Sequence, residues 1–360
     1  MDFEVHDVEK EERIKRKNKK SNMLFLAAGI LLLISIGLLM YYFISHSINS
    51  KKKKTVPPVT KQEVKSLTVF DENSNDRPIC VMIDNLVGND NHVGLQHAYL
   101  SYEIIVEGGL TRIMSVYKDK DVPIIGPVRS SRHYFLDYAL ENDCIYAHFG
   151  GSPKALSDIK KLNVNNINGM EHGAGFARDT SIASPHNVFT SIKRIKSEAE
   201  RLKYSTDSTT WKLFNYSADA IDLSTKSSTD LLTATNVSVS YSQKQTRGYV
   251  YDPSNQVYLR EMNGAAHVVR KTQNQLEYKN IIIQKVNNKN LDSEGRQDLE
   301  TVGTGEGYFI TNGYALPITW NKASRETKTK YTYKDGEEIV LNDGNTFIQI
   351  VPISNNITIG

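Results

Sequence analysis

The sequence predicts one N-terminal transmembrane helix, then an α/β domain, then a mostly antiparallel β domain. Three observations carry this. Met23–Ile44 runs 22 residues without a charge. Residues 71–216 alternate short apolar runs with segments of helical spacing, the pattern of interleaved strands and helices. From Val237 onward the apolar period is two and no long helical pattern occurs.

Taken in order, residues 1–22 are a basic segment placed in the cytoplasm and 23–44 the span. A helix of that length reaches ~33 Å, enough for a hydrocarbon core of ~30 Å. Tyr41, Tyr42 and Phe43 lie at one end of it, where aromatic rings favour the interface. Residues 1–65 hold 13 Lys/Arg against 7 Asp/Glu, so of the chain's net charge of +3 the remainder carries 3 − 6 = −3. The cluster from Lys10 to Lys20 is larger and closer to the span than Lys51–Lys54, which favours a cytoplasmic N-terminus and a body outside. An acidic body on a basic stem does not fit nucleic-acid binding. With no processed cysteine after the apolar run, an uncleaved signal anchor is expected, with the bilayer as a partner through residues 23–44.

Residues 45–70, with KKKK and TVPPVT, read as a stalk. RPICVMIDN reads as a buried strand ending near Asp84, and Tyr102–Lys118 as two strands around Gly108 and Gly109. Ser130 or Ser131 is expected to cap a helix through Tyr134 and Ala139. CIYAHFGG reads as a strand, and Ser152–Pro153 opens a helix with serine as cap. Val188, Ile192, Ile195, Ala199 and Leu202 mark a last helix. The polar stretch 217–236 reads as a linker to the β-rich domain 237–360. Cys80 and Cys144 both sit in strand-like runs, where a disulfide and two free core thiols remain alternatives.

The residues suited to chemistry fall at strand ends and loops, where open α/β folds place ligands. Arg112, Arg129 and Arg132 suit phosphate or carboxylate, because the guanidinium fork makes two parallel hydrogen bonds. Ser130, Gly150 and Gly151 would let backbone amides approach, and Arg178 and Asn187 add donors. Glu103 and Glu107 are candidate ligands for a cation such as Mg²⁺, and Glu107 also a ligand contact. His148, His186 and Asp179 are the candidates for moving protons. Each has a plain alternative: an arginine paired to a glutamate for stability, a glycine turn, a histidine satisfied at a strand end.

Five motifs in order, RPICVMIDN, EGGLTR, IGPVRSSR, HFGGSP and RDTSIASPHN, resemble the YerB-like lipoprotein family, domain of unknown function 3048. The likeness continues through YDPSNQVYLREMNGAAH and LNDGNTFIQIVP, in two domains spanning about residues 75–355. It implies an extracytoplasmic, membrane-attached protein and no established reaction. This chain has a hydrophobic helix where such lipoproteins have a lipidated cysteine. The order of elements also looks like that of the LytR-CpsA-Psr family, which transfers polyprenyl-pyrophosphate-linked glycopolymers. Arg112, Arg129 and Arg132 would be the counterparts of its pyrophosphate ligands, although Ser-Ser-Arg follows Arg129 where that family has an aspartate. The expectation is therefore an envelope protein that binds an anionic ligand, with an envelope polymer or lipid-linked precursor as partner. Transfer chemistry and a non-catalytic scaffold or sensor are the alternatives.

Overall fold

The computed structural model describes residues 4–51, 65–86, 91–226 and 228–360, in two compact units, 1–64 and 65–360. The first is a single helix, α1, Glu4–Lys51. Within it, Glu12–Ser47 is apolar enough to cross a membrane, with a mean hydropathy of 2.7 over its best window and none of that window buried. Of the expected stalk, residues 45–51 continue this helix and 52–64 lie outside the described residues. Its last residues are not stalk. Val69 and Phe70 are buried in the body, where Phe70 packs edge-on against Tyr99, Trp211 and Tyr216.

The body is built on one mixed sheet. Its first strands are β1 (Ile79–Asp84), β2 (Leu100–Ile105), β3 (Thr111–Tyr117), β4 (Ile145–His148) and β5 (Asn166–Asn168). β1 is antiparallel to β3 and parallel to β4, and β4 is parallel to β5. All residues of β1 to β3 are buried, as expected of continuous apolar runs covered on both faces. The turn between β2 and β3 places Gly108 and Gly109 at φ 67° and 70°, a region open to glycine at no steric cost. Cys80 in β1 and Cys144 just before β4 are joined in a disulfide, with Cα atoms 5.5 Å apart.

Helix α2 (Phe135–Glu141) starts later than the sequence suggests. Tyr134 stands at its cap position without a side-chain bond, so neither Ser130 nor Ser131 caps it. Both serines lie in extended chain, where Ser131 bridges to Gly151. Helix α3 (Pro153–Lys161) starts as expected, with the Ser152 hydroxyl accepting from the Ala155 amide. A short hairpin, β6 (Ala177–Arg178) and β7 (Val188–Phe189), precedes α4 (Ile192–Arg201), which Ser191 caps. Val188 therefore belongs to a strand and not to the helix.

The sheet does not stop at the expected domain boundary. Thr346–Pro352 lies parallel to β2 on one side and to Asn280–Val286 on the other. Gly303–Thr311, Tyr314–Lys322 and Lys330–Thr332 follow antiparallel. The C-terminal region thus contributes half of the main sheet, besides a separate antiparallel sheet that includes Asn236–Ser242, Gln245–Asp252 and Val257–Met262. Nor is 217–236 a free linker. Leu223 and Ala234 are buried, and Leu232–Thr233 pairs with Tyr314–Ala315. Its polar composition hid two apolar anchors and an edge pairing.

Candidate functional site

The carboxyl ends of the parallel strands β1 and β4 lie side by side, and two loop segments cross them. The Arg129 amide donates to the Met82 carbonyl at 2.9 Å, and the Phe149 amide to the Arg129 carbonyl at 3.0 Å. The Ser131 amide reaches the Gly150 carbonyl at 2.9 Å, and the Gly150 amide the Asn168 side chain at 2.9 Å. Gly150 sits at φ 74°, where a side chain would strain the backbone. These bonds fix residues 129–132 and 149–151 over the strand ends.

Antiparallel register sets Arg112 opposite Asp84. Around that pair the structure gathers the three predicted arginines. Arg132 grips both oxygens of Glu107, at 2.6 and 2.8 Å. Arg129 lies 3.3 Å from Asp84, whose same oxygen also bonds His186 Nδ1. Arg112 is 8% exposed, donates to the Ser130 carbonyl at 2.5 Å, and has no carboxylate within ion-pair distance among the described residues. Burial lowers its guanidinium to about 10, with the positive charges of Arg132 and Arg129 acting in the same direction. Three guanidiniums thus face two carboxylates, one of which is shared with a histidine. The buried Arg129 Nε has no hydrogen-bond partner.

The remaining predicted residues divide. His186 joins the cluster through Asp84, and its Nε2, in a partly exposed ring, has no partner among the described residues. Arg178 donates to Asn187 Oδ1 at 2.7 Å and lies over the Phe149 ring, beside the cluster. Asp179 takes Ser181 and Arg270 as partners, which hold its carboxyl at about 2, and it is not a free base. His148 is fully buried between the Gly150 carbonyl and Asn166 Oδ1, at 2.8 and 3.2 Å. Burial lowers its pKa, and both ring nitrogens are engaged. Its place is beneath the Gly150–Gly151 loop as a support, not as a proton carrier. No helix begins at these arginines, since α2 starts at Phe135, beyond Arg132.

Glu103 is not part of this cluster's open side. It is wholly buried, and Oε1 accepts from Arg247 Nε at 2.6 Å, Asn85 at 2.7 Å and Thr111 at 2.7 Å. Its Oε2 accepts from Arg260 at 2.6 Å and Gln349 at 3.0 Å. Burial opposes ionisation, yet Arg247 and Arg260 outweigh it and hold the carboxyl at about 2. With Glu107 closed on Arg132 as well, Glu103 and Glu107 do not fit a shared Mg²⁺. No group of three or more His, Cys, Asp or Glu side chains able to hold a metal occurs among the described residues.

A polar chain links the two clusters. Arg260 Nη1 bonds His267 Nδ1, His267 Nε2 lies 2.7 Å from His92 Nδ1, and His92 Nε2 meets the Asp84 carbonyl. An arginine only donates and a carbonyl only accepts. Every bond between must therefore run in one direction, which fixes both histidines as neutral Nε2–H tautomers. Burial lowers the pKa of both, and for His267 the Arg260 charge adds to it.

Sequence reasoning favoured a turn role for Asp84 over a site role and passed over Arg247, Arg260, His92 and His267. Asp84 had a signal, a carboxylate closing an apolar strand opposite an arginine. For Glu103 the signal was its own position: a carboxylate inside LSYEII demands a buried cation. Its partners lie 144 and 157 residues away, and no local pattern points to them.

Residues 66–205 match the family model described as "Protein of unknown function (DUF3048) N-terminal domain", and residues 237–348 match its C-terminal domain. "Putative lipoprotein YerB" of Bacillus subtilis (strain 168) is 27% identical over 312 residues, which is 85% of this chain and 91% of that protein. A crystal structure of YerB protein from Bacillus subtilis has a TM-score of 0.68 at 27% identity, covering 79% of this chain and 94% of that one. These matches carry the YerB name and not that of LytR-CpsA-Psr.

Proposed function

We propose a function for a chain that belongs to the YerB-like, DUF3048 family: a bilayer-tethered extracytoplasmic protein whose body binds an anionic group at Arg112, Arg129 and Arg132. The observation that carries it is the charge imbalance at the strand ends, three guanidiniums against Asp84 and Glu107. Uncompensated charge under cover is expensive, and a phosphate or carboxylate supplies the missing negative partner. Placement at the carboxyl ends of parallel strands, with glycine turns close by, supports the same reading.

The tether is the apolar part of α1, and its lysine- and arginine-rich N-terminal flank favours the cytoplasmic side. A disulfide between Cys80 and Cys144 suits an oxidising space beyond the membrane. The relative named a lipoprotein supports membrane attachment, here by a helix instead of a lipid. Binding and presentation of an anion explain the site better than metal-dependent transfer, because both glutamates that would hold the cation are spent on arginines.

The test is thermal unfolding of the full chain in nanodiscs, titrated with inorganic phosphate and pyrophosphate. Saturable stabilisation is expected, rising by about 2.7 kcal/mol at a hundredfold excess over Kd. Arg112→Met should abolish it. Equal stabilisation of wild type and variant, or none in either, sinks the assignment. Labelling of intact cells with a membrane-impermeant maleimide, using a cysteine placed at Lys289, checks the outward body.

A further inference from the structure

Beside the arginine cluster but not lined by it, a groove of about 470 Å³ opens between the regions matched by the two family models. That volume lies within the ~300–1,000 Å³ range of small-molecule sites. Its lining comes from Val93, Pro123–Ile124, the β6–β7 hairpin, the first turn of α4, and Arg270–Lys271. The walls are pinned by backbone bonds. Val93 donates to the Gly126 carbonyl at 3.0 Å, Ile125 to Thr190 at 2.8 Å, and Arg270 to His92 at 2.9 Å. A cleft whose walls are already ordered costs a ligand little to enter.

Its chemistry is two-sided. Val93, Ile124 and Phe189 supply apolar surface, while Arg178, Arg194, Arg270 and Lys271 stand around it with Asp179 as the one carboxylate in the lining. Arg270 is taken by Asp179 at 2.9 Å. Arg178 donates to a neutral amide and Arg194 to the Ala174 carbonyl, bonds that leave their charges unbalanced. Lys271 is exposed. Three positive charges over an apolar floor complement a molecule that is apolar along its body and anionic at its head.

We propose that this groove is a second binding site, one that takes a small amphiphilic anion, with an aliphatic or aromatic body and a phosphate or carboxylate head. Arg194 and Lys271 meet the head, and Val93, Ile124 and Phe189 cover the body. Arg112, Arg129 and Arg132 do not line it, so it stands or falls apart from the anion site above.

The probe is 1-naphthyl phosphate, read by its fluorescence anisotropy with the full chain in zwitterionic nanodiscs; inorganic phosphate and a neutral naphthyl glucoside are the competitors. Saturable binding is expected, at least about tenfold tighter than inorganic phosphate because the floor covers the ring. The glucoside should not compete. Arg194→Glu with Lys271→Glu should weaken the tight phase of probe binding at least about tenfold, while Arg112→Met removes only the weaker phosphate binding at the other cluster and keeps the tight phase. Both reversals are at exposed positions, and Lys271→Glu alone provides the check if the pair fails to fold. Probe affinity no better than that of inorganic phosphate overturns the proposal. So does a probe lost in Arg112→Met but kept in the groove variants, which assigns it to the other cluster.

Discussion

Two groups of arginines and carboxylates lie at the same end of the β2–β3 pair but on opposite faces of the sheet, made of the same residue types and put to different uses. In the first, Glu103 receives Arg247 and Arg260, and the side chains of all three are 0% exposed. Thr111, Gln245 and Gln349 complete much of their hydrogen bonding. In the second, Arg129 meets Asp84 and Arg132 meets Glu107, both arginines partly open, while Arg112 is buried beside them without an ion-pair partner among the described residues. Both groups hold more positive than negative charge, so a count alone does not separate them. What separates them is closure. Around Glu103 the spare charge is spread over neutral acceptors inside the core, including Gln245 Oε1 at 2.7 Å and the Thr246 carbonyl at 3.0 Å from Arg247. Around Arg112 one carbonyl is the acceptor, and each group keeps one buried Nε without a hydrogen bond, that of Arg260 in the first and that of Arg129, 3.3 Å from Asp84, in the second. The first group is sealed at 0% exposure, whereas Arg129 and Arg132 are 24% and 12% exposed, so access to a guest, not the count of answered donors, sets the two apart.

The largest test of that contrast is Glu103→Gln. It leaves two buried guanidiniums without their anion, so the loss in unfolding free energy should be about 3–5 kcal/mol, read by denaturant titration. Arg112→Met should behave oppositely, neutral or mildly stabilising without ligand, because it removes an uncompensated buried charge of similar volume. If Arg112→Met proves as damaging as Arg247→Met, the second cluster is structural like the first.

Part of this contrast was legible in the sequence. β1 to β4 follow apolar runs bounded by Asp84, Gly108–Gly109 and Gly150–Gly151, because continuous burial leaves a local signature, whereas β5, Asn-Ile-Asn, carries none. Arg112, Arg129 and Arg132 were legible as a group, since each lies beside a strand end. The division of labour was not. Glu103 and Glu107 are four residues apart and look like a pair, yet Glu103 lies within a buried strand and Glu107 in the turn that follows. Glu103 meets arginines 144 and 157 positions away and Glu107 one 25 positions away, and neither separation leaves a local pattern. That one sheet crosses the boundary was hidden for a related reason. Asn280–Val286 and Thr346–Pro352 carry ordinary strand patterns, and pattern does not say which sheet a strand joins.

Acid offers the next sharpening. His92 and His267 are neutral in the fold with pKa values below their ordinary 6.5, and the fully buried His148 adds to the same effect. Below about pH 6.5 the unfolded chain therefore binds more protons than the folded one, and stability falls as pH falls. A proton added to His267 Nδ1 would set it donor to donor against Arg260. His92→Gln with His267→Gln should flatten the slope between pH 6.5 and 5, measured by unfolding midpoints. The Glu103 contribution comes lower: with its carboxyl held at about 2 against an ordinary 4.5, it is full above 4.5 and lost as pH falls toward 2. Slopes in both windows that disappear together in one variant would mean the network titrates as a unit.

The smallest expected effect concerns the pair that most resembles a structural bridge. Arg132 and Glu107 are joined bidentately, yet their side chains are 12% and 25% exposed. Burial disfavours the Glu107 charge, and the Arg132 bond overrides this to lower its pKa. With solvent this near, Glu107→Gln should cost no more than about 1 kcal/mol of stability. Its effect on anion binding should go the other way. Removing that carboxylate frees one guanidinium and deletes a repulsive charge, so phosphate should bind several-fold tighter in Glu107→Gln than in wild type, by calorimetry. A closed bridge would respond differently: stability would drop by several kcal/mol and phosphate affinity would stay flat. That outcome would move Arg132 out of the binding cluster and leave Arg112 and Arg129 to hold the anion alone.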